Sequence, residues 1–203
     1  MKTTLLSTAL IFAGLNLCAQ KDYTIIIDGK THEINLDENN SIKVNGKLVD
    51  VIVKQKDILN YTDEFFSFQY PKAFSISKTV IEQGISQVMI MTAEGSGILI
   101  QKYENIDPSF LNEMMLKEVT KESLSYGFEM ERADYQKKLL SGHEIMINKA
   151  TLSYKNETNE YEVATLGKKD SGILVMTMTM NLGLSNQGKE IIELMWSSLS
   201  FNE

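Results

Sequence analysis

Hydrophobic and polar residues alternate along much of this chain, and the alternation predicts strands first. Residues 23–53 read as two successive β-hairpins that turn at Asp28-Gly29 and at Asn45-Gly46. Those dipeptides tolerate the positive φ angles that a type I′ turn requires at both central residues. The hairpins also repeat: Ile27-Asp28-Gly29-Lys30-x-x-Glu33-Ile34-x-Leu36 matches Val44-Asn45-Gly46-Lys47-x-x-Asp50-Val51-x-Val53 at an offset of 17 residues. Two copies predict a small meander rather than a solenoid. The polar run Asp37-Glu38-Asn39-Asn40-Ser41 is read as the loop between them.

A second region begins near Asn60. Phe65-Phe66-Ser67-Phe68-Gln69-Tyr70 predicts an aromatic strand stopped by Pro71, which cannot continue a central ladder. Of its rings, Phe65 has the opposite parity and is expected to be covered by the N-terminal meander. Strands follow over residues 74–82, 86–92 and 98–103, joined by Gly84 and by Glu94-Gly95-Ser96-Gly97. Asp107-Pro108 predicts a helix start, because Asp accepts from the first free N–H groups and Pro is tolerated where its missing N–H costs nothing. Leu111, Met114, Met115 and Val119 are its expected buried face, and Gly127 ends it. Four more strands are predicted over residues 134–140, 144–155, 160–167 and 172–180, then a helix over 186–198 with Ile191, Leu194, Met195 and Leu199 at helical spacing and Trp196 at its edge. Antiparallel strands with two one-faced helices predict an α+β layer fold.

The order of these segments carries a resemblance. Phe68-x-Tyr70-Pro71, the strand pairs, the Asp107-Pro108 helix, Ser141-Gly142 before a strand, the late meander and the closing Trp196-Ser197-Ser198-Leu199-Ser200-Phe201 together look like the PsbP-like family over about residues 60–203. That family resembles in fold a small eukaryotic Ran-binding import factor and the bacterial envelope protein DcrB. The resemblance implies an antiparallel β-sheet flanked by α-helices, a non-catalytic role and protein partners that differ among members. It brings no shared set of functional residues with it.

The N-terminus sets the expected compartment. Lys2, an uncharged apolar run from Leu5 to Leu17, then Cys18, Ala19 and Gln20 follow the layout of an export signal. The run falls short of the about 20 apolar residues that span a bilayer, so cleavage after Ala19 is expected, with no integral membrane segment afterwards. Cys18 offers an alternative as a lipid anchor, although Leu15-Asn16-Leu17 lacks the small residue expected before a lipidated cysteine. The expected organisation is therefore a signal peptide over 1–19, a β-hairpin region over 20–59 and a PsbP-like α+β domain over 60–203. The mature protein is expected in the periplasm or outside the cell, or else tethered to the envelope.

Charge and composition narrow the partners. The whole chain has net charge −7 and one cysteine, Cys18. Acidity disfavours nucleic acid and anionic membranes. Loss of Cys18 with the signal excludes disulfides, cysteine-held zinc and thiol chemistry.

Candidate chemistry is sparse. His143-Glu144 begins the zincin signature, but Ile147 stands where its second histidine belongs, and His32 is the only other histidine. Asp170-Ser171-Gly172 matches one half of an aspartic-protease pair and is better read as a hairpin turn. Ser96 between Gly95 and Gly97 lacks the strand-to-helix setting of a nucleophile elbow. Met176, Met178 and Met180 at period two could bind Cu(I) if exposed, but sharing a face with Leu174 they read as core. The sequons Asn60-Tyr61-Thr62 and Asn156-Glu157-Thr158 are expected to stay unmodified in a bacterial protein.

No catalytic, cofactor-binding or metal residue is singled out, and no cofactor is expected. The sequence is read as an exported non-catalytic binding protein of the bacterial cell envelope whose partner is another envelope or secreted protein. The alternative is a small-molecule or lipid carrier with a pocket between sheet and helices.

Overall fold

Asp28-Gly29 and Asn45-Gly46 do turn two hairpins, with φ of 49° and 76° in the first and 49° and 82° in the second. The computed structural model describes residues 23–182 and 186–202. The expected signal peptide, with Cys18, lies outside the described residues. The chain divides into two compact units, Met1–Gln55 and Lys56–Glu203.

In the first unit, β1 (Tyr23–Ile27) pairs with β2 (Lys30–Ile34), and β3 (Asn39–Val44) pairs with β4 (Lys47–Ile52). A parallel bridge between Leu36 and Val53 joins the hairpins. Strand β3 begins inside the polar run expected to be a loop, and buried Asn40 explains why. Its amide donates to the carbonyls of Asn35 and Glu38, both at 2.9 Å, and accepts the Asn35 N–H at 3.0 Å. One side chain thus satisfies three backbone groups and holds the run in place.

The second unit holds β5 (Ile58–Thr62), β6 (Phe66–Pro71), β7 (Ser77–Glu82), β8 (Ile85–Met91) and β9 (Gly97–Tyr103). A 3-10 turn (Pro108–Phe110) then runs into α1 (Leu111–Ser125), followed by β10 (Glu129–Arg132), β11 (Tyr135–Lys138), β12 (Glu144–Tyr154), β13 (Glu157–Lys168) and β14 (Ser171–Thr179). Helix α2 (Asn186–Ser198) and β15 (Ser200–Phe201) close it. The main sheet is antiparallel, in the order β10-β12-β13-β14-β9-β8-β7, with β11 also on β12; β15, β6 and β5 form a second sheet. Helix α1 packs on β12 and β13, whereas α2 packs on β9 and β14 and against β6. This is the α+β layering that the sequence predicts.

Covering both faces gives two cores. Ile98, Ile100, Ile147, Ile173 and Val175 meet Ile191 and Met195 on the α2 face. Ala150, Leu152, Val163, Leu174 and Met176 meet Leu111 and Leu116 on the α1 face. Met178 and Met180 pack against the second core as well, so the period-two methionines are packing residues.

Three local differences from the sequence reading have physical reasons. The fully buried residues of α1 are Leu111, Leu116 and Thr120, with Met115 and Val119 partly buried against the same core as expected, but Met114 is 56% exposed. At about 100° per residue, the arc from Leu111 through Leu116 to Thr120 leaves Met114 outside it. Thr120 is tolerated there because its hydroxyl donates to the Leu116 carbonyl at 2.8 Å. Next, α1 proper starts at Leu111, one turn later than Asp107-Pro108 suggests. The Asp107 carboxylate accepts from the Ser109 N–H (2.9 Å) and hydroxyl (2.6 Å). That turn seats on the facing pair Gly167 and Gly172, where added Cβ atoms would strike Asp107, Ser109 and Pro108. Finally, β10 and β15 are unforeseen, being only four and two residues long and without an alternation to read.

Candidate functional site

Charged side chains on a sheet covered on both faces must find partners. On the α2 face, Lys149 of β12, Glu162 of β13 and Thr177 of β14 lie in one cross-strand row. Glu162 is 6% exposed. Its Oε1 accepts from the Tyr135 hydroxyl at 2.8 Å, and its Oε2 from the Trp196 indole N–H at 2.9 Å and the Thr177 hydroxyl at 3.1 Å. Strand β11 supplies the tyrosine and α2 the tryptophan, so the carboxylate ties the sheet edge and the covering helix together. Lys149 Nζ lies 2.8 Å from Glu160 and 3.8 Å from Glu162. Burial, reinforced by the facing Glu162 carboxylate, pushes the Tyr135 hydroxyl well above the usual phenol range, so it stays a donor.

Above this row opens a cleft of about 440 Å³ between α2 and strands β11, β13 and β14. Tyr135, Lys137, Thr179, Lys189, Ile192 and Trp196 are among its walls. With both oxygens of Glu162 already accepting, its floor is a structural anchor rather than a free base.

The α1 face carries a second network. The Arg132 guanidinium donates to Glu113 at 3.2 and 3.3 Å and to Asp134 at 2.8–3.1 Å. Asn148 adds a donor to Glu113 at 2.9 Å, and Asn112 donates to Asn148 at 3.3 Å. Hydrogen bonds from Arg132 hold both carboxyls below their ordinary range. Next to it, a groove of about 520 Å³ between α1 and β10 has Leu116, Leu124 and Met130 among its walls. Beyond the end of α1, the Phe128 ring lies 5.4 Å from that of Tyr154, and Tyr126 shares a pocket with both.

A third cluster surrounds Lys102, which reaches Glu64 at 2.9 Å and Glu104 at 3.0 Å and lies 5.1 Å from the Phe65 ring centre. Burial works to depress this ammonium, but its hydrogen bonds to Glu64 and Glu104 outweigh burial and push it up to about 12. Phe65 also packs on the core of its own unit, so at least part of its cover comes from inside that unit.

The sequence-flagged residues take structural places. His143 Nδ1 is 2.9 Å from the Ser141 hydroxyl, and its ring meets Phe201 edge-on at 5.6 Å. Glu144 is exposed, and no group of three or more His, Cys, Asp or Glu among the described residues could hold a metal. Ser96 is fully buried, and its hydroxyl accepts the Met180 N–H at 2.9 Å. Asp170, at φ 66°, turns β13 into β14. Asn60 lies on β5, and Asn156 is exposed in the turn between β12 and β13. No helix among the described residues is long and apolar enough to cross a membrane.

The Glu162 arrangement escaped the sequence reading, although a signal for it exists. Glu160 and Glu162 share a strand face with Ala164 and Leu166, opposite Tyr161 and Val163. With both faces of the sheet covered, an acidic pair in a central strand has to be buried and partnered.

No family model matches the chain, and no curated protein matches it. Among solved structures, it is similar to cyanobacterial PsbP (CyanoP) from Synechocystis sp. PCC 6803, with a TM-score of 0.45 and 13% identity over 71% of this chain and 92% of that one. It is also similar to a protein from Bacteroides thetaiotaomicron VPI-5482, with a TM-score of 0.38 and 12% identity over 71% of this chain and 48% of that one, so the match spans about half of that second protein.

Proposed function

We propose that this chain is an exported, non-catalytic binding protein of the bacterial envelope and that it engages another envelope protein through the surface at the C-terminal end of α1. One observation carries the reading. Leu124, Tyr126, Met130 and Tyr154 are 39%, 72%, 43% and 38% exposed around half-buried Phe128. They adjoin one another: Leu124 and Met130 share the α1–β10 groove, and Tyr126, Phe128 and Tyr154 share the next pocket. Adjoining exposed apolar groups mark contact surfaces, and Tyr, Phe, Met and Arg are the types that anchor protein interfaces. The groove rim mixes Lys117, Lys121 and Arg132 with Glu113 and Glu118, which suits a protein surface of both signs. The polar groups that could serve chemistry are instead tied to each other, Arg132 by two carboxylates and Glu162 by three donors. Export rests on Lys2, the apolar run and Cys18-Ala19-Gln20.

The test uses the mature chain, immobilised and exposed to envelope extract from its host. Wild type is expected to retain a specific protein that a Tyr126→Ser, Met130→Glu variant with an unchanged circular dichroism melt does not. Capture that is indifferent to the double variant, or no specific capture across several salt conditions, would overturn the proposal. Mass spectrometry of the mature N-terminus separates a chain that starts at Gln20 from one lipidated at Cys18.

A further inference from the structure

We infer that the α1–β10 groove takes an extended segment of the protein partner, which adds as an antiparallel strand to the free edge of β10 and carries basic residues at every second position with apolar residues between them. The inference rests on the reading of this surface as a protein contact and supplies the partner's chemistry.

Strand β10 ends the order of the main sheet, with β12 on its inner side. The bonds on that side fix what the other side offers. The Ala133 N–H points to the Lys149 carbonyl, and further along the same register the Leu139 N–H points to the His143 carbonyl. Ladder bonds alternate along an antiparallel strand, so Glu129 and Glu131 also turn their backbone groups toward β12, and Met130 and Arg132 turn theirs outward. Leu140, of the same parity as Met130, does send its N–H outward, to the Leu199 carbonyl. Met130 and Arg132 thus present N–H and C=O groups in a row, the template on which an added strand is recognised. Their side chains, opposite Leu152 and Ala150 of the second core, face α1, and with Leu124 they line the groove of about 520 Å³.

The two faces of this edge differ in charge. On the α1 face, Glu113, Glu118 and Asp134 balance Lys117, Lys121 and Arg132, each within an ion pair, so an apolar side chain suits the groove. On the other face, Glu129 and Glu131 are exposed opposite Ser153 and Thr151 and have no ion-pair partner among the described residues. Lys149, two residues along β12 from Thr151, is taken by Glu160 and Glu162. Those four carboxylates against Lys149 leave −3; the neighbouring cleft, where Lys137 and Lys189 exceed Glu193 by one, brings the face to −2. Unlike charges directly opposite one another across a strand pair stabilise it, and like charges destabilise it. Basic residues therefore fit opposite Glu129 and Glu131, with an apolar residue between them opposite Met130. A second copy does not fit, because antiparallel pairing of β10 with itself about Met130 sets Glu129 of each chain against Glu131 of the other.

The probe is a fluorescein-labelled peptide, acetyl-TKVKVKT-amide, titrated with the mature chain by fluorescence anisotropy at fixed ionic strength. In the inferred register its valines bond to the backbone of Arg132 and Met130, and the last two lysines face Glu131 and Glu129. Saturable binding is expected. N-methylation of both valines removes the donors to β10 and should weaken it by about tenfold or more, whereas N-methylation of the last two lysines, whose N–H groups face away, should cost less than about threefold. The charge-reversed peptide acetyl-TEVEVET-amide and the Glu129→Gln, Glu131→Gln double variant should each lose about tenfold. A Glu82→Gln, Glu94→Gln control, which removes the same charge at the β7 end of the sheet, should bind as wild type. No saturable binding, equal losses from the two methylation patterns, or binding that follows Glu82 and Glu94 instead of Glu129 and Glu131 would each overturn the inference. Extract capture is read separately. A partner lost with Tyr126→Ser, Met130→Glu while the peptide results fail overturns strand addition alone, and capture indifferent to that variant strikes the protein-partner reading itself.

Discussion

Replacing Glu162 probes the contact that joins α2 to the sheet, and the structure sets an order for three substitutions. In Glu162→Ala, the hydroxyls of Tyr135 and Thr177 and the indole N–H of Trp196 lose their acceptor together. A buried donor left unsatisfied costs about 1–3 kcal/mol, but water entering from the adjoining cleft will serve some of the three. The expected loss is about 3–5 kcal/mol, similar to that of breaking a buried charged pair. Glu162→Gln keeps the shape. Its carbonyl oxygen can serve Trp196 and Thr177, and its amide can face Tyr135, whose hydroxyl turns to accept, so the loss should be about 1–2 kcal/mol. Glu162→Leu refills the volume but supplies no acceptor, and it should fall near Ala, at about 2–4 kcal/mol. Urea unfolding followed by Trp196 emission reads the second unit alone. In a unit of about 150 residues, each kcal/mol lowers Tm by about 2–4 °C, so the alanine variant should melt roughly 6–20 °C lower. A leucine variant as stable as wild type would refute the reasoning, because it would mean that apolar filling suffices and that the three donors need no acceptor.

Two further outcomes are expected. Arg132 holds the Glu113 and Asp134 carboxyls lower in the folded chain than in the unfolded one, so their stabilisation is complete above the ordinary carboxylate range and is lost as pH falls through their depressed folded values. Arg132→Gln should therefore destabilise clearly at pH 7 and much less at about pH 2–3 in urea melts, where an equal loss at both would refute the assignment. Gly167→Ala places a methyl group where the Asp107–Ser109 turn seats, and it should cost about 1–3 kcal/mol with faster hydrogen exchange at the Ser109 N–H. Unchanged exchange there would mean that the turn does not depend on the glycine gap.

Which features could be read from the sequence follows from how local their causes are. The hairpin turns at Asp28-Gly29 and Asn45-Gly46 depend on backbone conformations that those residues favour by themselves, and they fall where the sequence puts them. The helix entry at Asp107-Pro108 was legible in kind, but its length depended on Gly167 and Gly172, some sixty residues further on. On α1 the expected Leu111, Met115 and Val119 do face the core, and only Met114 stands where Leu116 belongs, because the two are equally apolar and only the packing on β12 and β13 decides between them. Glu162 was missed for the same reason: its donors come from β11, β14 and α2, and no window of sequence contains them together. The sequence offered motifs such as His143-Glu144 and Asp170-Ser171-Gly172, whereas the structure offers residues that are unremarkable in sequence and meaningful only by position.

The interruption between β10 and β11 explains why both polar networks gather at one edge of the sheet. The two strands meet β12 in a single register, Arg132 opposite Ala150 and Tyr135 opposite Ile147, so they are one edge strand with a broken rung. At that rung the Ala133 N–H still donates to the Lys149 carbonyl, at 3.1 Å. The return bond is different, because the Lys149 N–H goes to the Asp134 carboxylate at 2.9 Å instead of to a backbone carbonyl. The same carboxylate takes Arg132, which binds Glu113 of α1. Lys149 in turn sends its ammonium to Glu160 and Glu162 on the α2 face. A single charged side chain thus stands in for a backbone acceptor and connects the networks beneath the two helices. Asp134 loses acceptor capacity when protonated, so this rung of the ladder depends on its ionisation in a way that an ordinary backbone pair does not.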